Sequence, residues 1–136
     1  MALRLSLKPG ERLILGGAVI RNGESRAELM VENEVPLLRE RDILSPSEAT
    51  TPCRRIYLAI QLMYVDPAGL QGHEVLYRQL VLEVAAAAPS TLKFLSPMND
   101  HITNGRYYQA LKAARPLLDY ERPNPFELSI IQDTLT

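Results

Sequence analysis

Apolar and polar residues alternate through the first forty-odd positions and then change period. Leu3, Leu5 and Leu7 share one face of an expected strand, with Arg4, Ser6 and Lys8 on the other. Pro9-Gly10 turns the chain into a second strand, Arg12 to Leu15, which sets Leu13 beside Leu15. Gly16-Gly17 permits a bend or bulge, and a third strand, Ala18 to Arg21, follows. Asn22-Gly23 is the favoured pair for a type I′ hairpin. The fourth strand, Arg26 to Glu32, sets Ala27, Leu29 and Val31 against Arg26, Glu28, Met30 and Glu32. A fifth segment, Val35 to Arg41, contains Pro36, which suits an edge or a strand start. Strands this short, polar on one side, cannot bury both faces of a flat sheet. They must curl into a small barrel or exchange strands with a second copy.

From Thr51-Pro52, a cap followed by proline at the first helical position, the spacing becomes helical. Ile56, Tyr57, Ala59, Ile60, Met63 and Tyr64 recur at that spacing. Leu58, Leu62 and Val65 widen the surface, so this helix is expected to be central. Asp66-Pro67-Ala68-Gly69 ends it. A second helix, about Gly72 to Ala88, carries Tyr77, Leu80, Val81, Val84, Ala85 and Ala88 as its stripe. Pro89 breaks it, and Ser90 is expected to cap a third helix to about Ile102. Asn104-Gly105 makes a turn into a fourth through Tyr107 to Leu118, which Pro116 should kink or bound. The reading is α+β: a five-stranded antiparallel unit over 1–44, three to four bundled helices over 45–121, and a tail over 122–136.

Composition narrows the function. The chain is 46% hydrophobic and 23% charged, ordinary globular usage, and its net charge of -1 excludes nucleic-acid binding by bulk charge. Any such binding needs a local patch. Cys53 is the one cysteine, so no internal disulfide forms. No signal-like leader and no apolar run of about 20 residues is present, so a cytoplasmic protein without membrane contact is expected.

Catalytic chemistry finds little support. His73 and His101 have no ligand partners at metal-like spacing, so no metal or cofactor is expected. Cys53 beside Arg54 and Arg55 suggests a reactive thiol, against which stands the commoner reading of a small packed residue. No nucleophile elbow, phosphate loop or isolated carboxylate pair occurs, and an enzyme is not expected. Cationic residues offer more. Arg39 and Arg41 fall on one face of an extended segment, close to Arg4 if the first and last strands pair. Guanidinium forks there suit phosphates and base edges; the bland alternative is a solvated face paired with Glu32, Glu34 and Glu40. Arg106 and Lys112, with Arg115, flank Tyr107 and Tyr108, a set able to stack on bases if the tyrosines are not core anchors.

Three blocks carry a family resemblance. Leu7-Lys8-Pro9-Gly10-Glu11-Arg12-Leu13-Ile14-Leu15 with Gly17-Ala18-Val19-Ile20-Arg21-Asn22-Gly23 resembles the opening of the FlbT proteins, flagellin regulators. Thr51-Pro52-Cys53-Arg54-Arg55-Ile56-Tyr57 through Gln61 to Pro67, and Asn104-Gly105-Arg106-Tyr107-Tyr108-Gln109-Ala110-Leu111-Lys112, are similar to their second and third blocks. The resemblance implies a post-transcriptional regulator of flagellum biogenesis. Such a protein associates with the 5′ untranslated region of flagellin messenger RNA and promotes its decay or blocks its translation, alongside a small partner, FlaF. The β-unit also resembles the CsrA regulators, strand-swapped dimers that bind messenger leaders through their first and last strands. That likeness implies a homodimer with Arg39 as the RNA-contacting arginine and Arg4 as its neighbour. The rival expectation is a protein–protein module that holds flagellin or FlaF and affects the messenger indirectly.

Overall fold

In the computed structural model, which describes residues 2–122, the strand-period region forms five strands: β1 (Leu3–Leu7), β2 (Arg12–Leu15), β3 (Ala18–Arg21), β4 (Ala27–Val31) and β5 (Leu37–Arg39). They make two antiparallel sheets, β1–β4 and β3–β2–β5. β1 therefore pairs with β4 and not with β5, and Arg4 stands opposite Met30. The alternation does what the sequence predicts: Leu5, Leu7 and Leu13 are buried, with Leu15, Leu29, Val31 and Leu37 packed against them.

The turn chemistry is redistributed. The two-residue hairpin lies at Gly16-Gly17, whose φ values of 58° and 89° are those of a type I′ turn between the paired Leu15 and Ala18. Only glycine occupies both positions without strain. Asn22-Gly23 is not that hairpin: neither residue has positive φ, and β3 and β4 do not pair. Asn22 uses its side chain instead. Its Nδ2 donates to the carbonyls of Leu7, Lys8 and Ser25 at 3.2, 2.8 and 2.9 Å. One amide thus gathers the end of β1, the β1–β2 turn and the approach to β4. The fifth segment is also shorter than its sequence span, because a 3-10 turn, Glu40–Asp42, ends the extended run at Arg39.

The chain separates into two compact units, the first ending at Ile43 and the second starting at Leu44. The second contains α1 (Pro52–Val65), α2 (Leu70–Ala87), α3 (Leu92–Thr103) and α4 (Tyr107–Glu121). As its wide apolar surface requires, α1 is central, packed against both α2 and α4, while α3 packs on α4. Ile56, Ile60, Met63, Leu80, Leu95, Met98, Leu111 and Leu117 are fully buried. Thr51 caps α1, accepting from the Arg54 N–H at 3.2 Å. Its hydroxyl also donates to the buried carboxylate of Glu121 at 2.5 Å, whose other oxygen accepts from the Cys53 N–H at 3.1 Å. The last residue of α4 thus satisfies free donors at the start of α1.

One cap expectation needs correcting, and of the two readings of Pro116 the boundary is ruled out. Ser90 does not cap α3: a 3-10 turn, Pro89–Thr91, precedes that helix, and Ser90 Oγ lies 2.6 Å from the Tyr120 hydroxyl. Pro116 does not end α4, which continues to Glu121, just as Pro97 sits inside α3. The expected tail lies outside the described residues from position 123 onward.

Candidate nucleic-acid interface

A cleft of about 380 Å³ opens in the β-unit, lined by Ser6, Lys8, Glu11, Arg26, Arg39, Glu40 and Arg41. Its position follows from the topology. β1 and β5 are not ladder partners, so the outer edge of β1 keeps carbonyls with no strand to accept from. Arg39 fills that gap. It stands opposite Leu13 in β2, on the face that turns toward the leucine core, and its Nη2 donates to the Ser6 carbonyl at 2.9 Å. Arg26, just before β4, donates from Nη1 to the Ser6 hydroxyl at 3.0 Å. Ser6 is therefore held between two guanidinium groups, with Lys8 two residues along β1.

Two carboxylates complete the cleft. Glu11 Oε1 accepts from the Lys8 N–H at 2.8 Å, and Oε2 lies 3.7 Å from Arg39. Glu40 Oε1 accepts from the Arg12 N–H at 2.9 Å and contacts Arg12 Nε at 3.4 Å. The Arg12 backbone bond, reinforced by its guanidinium, holds the Glu40 carboxyl below its usual pKa. Four cations face two carboxylates here, a surplus of two positive charges. Over Met1 to Leu44 as a whole, seven basic residues balance seven acidic ones. The balance hides a local polarity.

Of the residues expected to contact RNA, Arg39 and Arg41 line this cleft together, although Arg41 belongs to the 3-10 turn and not to an extended strand. Arg41 is 79% exposed and 4.0 Å from Asp42. Arg4 is exposed on β1 but does not line the cleft, which reaches that strand at Ser6 and continues to Lys8. Lys8 and Arg26 are the residues that sequence reasoning missed. The polar face of β1 already carried Lys8, whereas Arg26 becomes a neighbour only through the β1–β4 register.

Arg106 and Lys112 belong to the helical unit. Arg106 is exposed at the start of α4 and donates from Nε to His101 Nδ1 at 3.1 Å. Lys112 Nζ lies 5.2 Å from the centre of the Tyr108 ring, which packs on Tyr64 at 5.6 Å. Tyr108 is 37% exposed, so one ring is both packed and accessible. Elsewhere in this unit a groove of about 710 Å³ runs between α2 and α3, floored by Tyr77, Val81, Leu95 and Ile102.

Cys53 is 1% exposed, and burial together with the Glu121 carboxylate pushes its thiol far above the usual range. That environment disfavours thiolate chemistry. His73 bonds Asp66 at 2.9 Å, and no group of three or more potential metal ligands occurs among the described residues. No helix among them is long and apolar enough to cross a membrane.

Fold and site define an α+β protein that carries a cationic cleft in its β-unit. Compared with known proteins, residues 3–124 match the family model described as flagellar protein FlbT. The chain is 48% identical over 122 residues to a probable flagellum biosynthesis repressor protein FlbT 1 of Bradyrhizobium diazoefficiens, covering 89% of this chain and 83% of that one. A probable flagellum biosynthesis repressor protein FlbT of Rhodopseudomonas palustris is 38% identical over 121 residues, with 89% and 95% covered. The flagellum biosynthesis repressor protein FlbT of Caulobacter vibrioides is 37% identical over 123 residues, with 89% and 87% covered. The chain belongs to the FlbT family. No solved structure matches it.

Proposed function

We propose that this chain regulates flagellum synthesis after transcription, by binding the 5′ untranslated region of flagellin messenger RNA and limiting its translation or lifetime. Membership of a family whose relatives are named flagellum biosynthesis repressors supports the first part. The cleft supports the second, and the observation that carries it is the convergence of Lys8, Arg26, Arg39 and Arg41 on one concavity. Guanidinium and ammonium groups gathered in one concavity suit the phosphates of an unpaired leader, and the exposed Tyr108 ring beside Lys112 offers a surface for a base. Occluding a ribosome site or presenting a message to a nuclease needs no catalytic group in this chain, which acts here as a cytoplasmic, non-enzymatic repressor.

A shift assay with a flagellin leader tests the proposal. Binding that falls with added salt and weakens about tenfold in Arg39→Ala is expected, since a contact with an ionised partner contributes on that scale. No binding below about 10 µM, where non-specific nucleic-acid contacts already begin, sinks direct recognition.

A second reading, a module that holds flagellin or FlaF, draws on a different observation. Val75, Leu76, Leu82 and Leu92 are 63%, 45%, 70% and 52% exposed on α2 and at the start of α3. Purified FlaF or flagellin co-eluting with the chain, and failing to do so after Leu82→Glu, favours that reading. Light scattering tests the homodimer that the resemblance to the CsrA regulators implies.

A further inference from the structure

Glu11 is unusual among the cleft residues because it is less exposed than the cation it faces. Its side chain is 16% exposed against 38% for Arg39. It is also fixed: the Lys8 N–H binds Oε1 at 2.8 Å, and the Glu11 N–H donates to the Lys8 carbonyl at 3.1 Å, so the β1–β2 turn holds the carboxylate in place. From that position Oε2 faces Arg39 Nη2 at 3.7 Å, an ion pair slightly too long for a hydrogen bond. The same guanidinium has an N–H committed to the Ser6 carbonyl. Arg39 is thus oriented from one side by the β1 backbone and faced from the other by a single carboxylate oxygen.

Glu40 behaves differently. Its carboxylate turns to the backbone and guanidinium of Arg12, which does not line the cleft. Two carboxylates in one concavity therefore have separate partners, and of the two it is Glu11 that faces Arg39.

We propose that Glu11 is an internal competitor for Arg39: it stands where a phosphate oxygen would sit, and an RNA phosphate must displace or share that contact to bind. The inference rests on the reading that the cleft binds RNA, and it concerns how tightly. The carboxylate opposes the incoming phosphate by like charge and keeps the guanidinium compensated while the cleft is empty. Affinity is then set below what four cations alone would provide. Glu11 becomes the residue that fixes the working range of the repressor.

The test uses the full chain and a fluorescently labelled flagellin leader, with anisotropy titrations at several salt concentrations. Glu11→Gln keeps an oxygen for the Lys8 N–H and removes the charge. About two- to fivefold tighter binding is expected, in line with the loss of one partly exposed charge interaction. The gain should vanish in the Arg39→Ala background, since contacting residues couple. Glu40→Gln, which removes a charge from the same cleft, should change affinity less than Glu11→Gln. Glu11→Asp, with its carboxylate drawn back by one methylene, should fall between wild type and Glu11→Gln. Unchanged or weaker binding by both Glu11 variants, an equal gain from Glu40→Gln, or a gain that persists without Arg39 overturns the competitor role. If wild type binds and Arg39→Ala weakens it while Glu11→Gln gives no gain, the RNA reading stands and only this inference fails. If neither wild type nor any variant binds, both fail.

Discussion

The two units use polar side chains in opposite ways. In the helical unit, stability rests on a continuous apolar interior around α1, and its buried polar residues tie ends and loops together: Gln61 to both backbone groups of Leu44, Thr91 to Ala88, and Glu121 to Thr51 and Cys53. In the β-unit the buried leucine cluster is small, and polar side chains join strands that the ladders leave apart. Asn22 binds the β1–β2 turn, Arg39 binds the free edge of β1, and Glu40 binds Arg12. The residues that make the β-unit's candidate site are therefore among those that hold its fold. Substitutions there should move stability and binding together, whereas core substitutions in the helices should act on stability first.

Deletions in the two interiors should give the largest effects. Ile60→Ala removes a fully buried side chain from the centre of α1 and is expected to cost about 3–4 kcal/mol in denaturant unfolding of the helical unit. Leu13→Ala in the smaller core should cost about 3 kcal/mol, and loss of ellipticity from the β-unit before the helices would sharpen the contrast. Asn22→Ala leaves three carbonyls without their donor and should cost about 1–3 kcal/mol, with RNA affinity falling in parallel because Lys8 is one of the residues it anchors. Full affinity in a destabilised Asn22→Ala protein would break the claim that site and fold are shared. Gly17→Ala, at φ 89°, should cost about 1–2 kcal/mol by the same melt. The smallest effect is acid sensitivity at Glu40. Its folded pKa is lowered, so its contribution is complete above the ordinary carboxylate value of about 4.3 and is lost as pH falls through the folded value. Glu40→Gln should lower stability slightly at neutral pH, converge on wild type as pH falls below about 3, and so flatten that part of the stability profile.

Periodicity made most of the elements legible. β1, β2 and β3 begin and end where alternation and turn residues place them, and α1 starts at the expected Thr51-Pro52. What local pattern could not supply was competition among partners. Asn22-Gly23 has hairpin chemistry, yet the Asn22 amide finds three carbonyls, two of them 14 and 15 positions away, and Gly16-Gly17 takes the turn. Ser90 has cap chemistry but meets Tyr120, 30 positions on. The cleft was half visible for the same reason. Arg39 and Arg41 are close in sequence and line one cleft, whereas Arg26 joins them only through the pairing of β1 with β4, and Arg4 has no β5 partner to bring it to Arg39.

The Thr51–Glu121 contact also bears on how the helical unit is strung. Its first helix begins where its last one ends, with a hydroxyl and a carboxylate 2.5 Å apart closing a stretch of four helices. The unit is nearly a ring interrupted at one point, and the order in which its helices are threaded matters less than that closure. A circularly permuted helical unit, joined by a short flexible linker across Thr51 and Glu121 and opened at the exposed Asn104-Gly105 turn, should keep all four helices and their contacts.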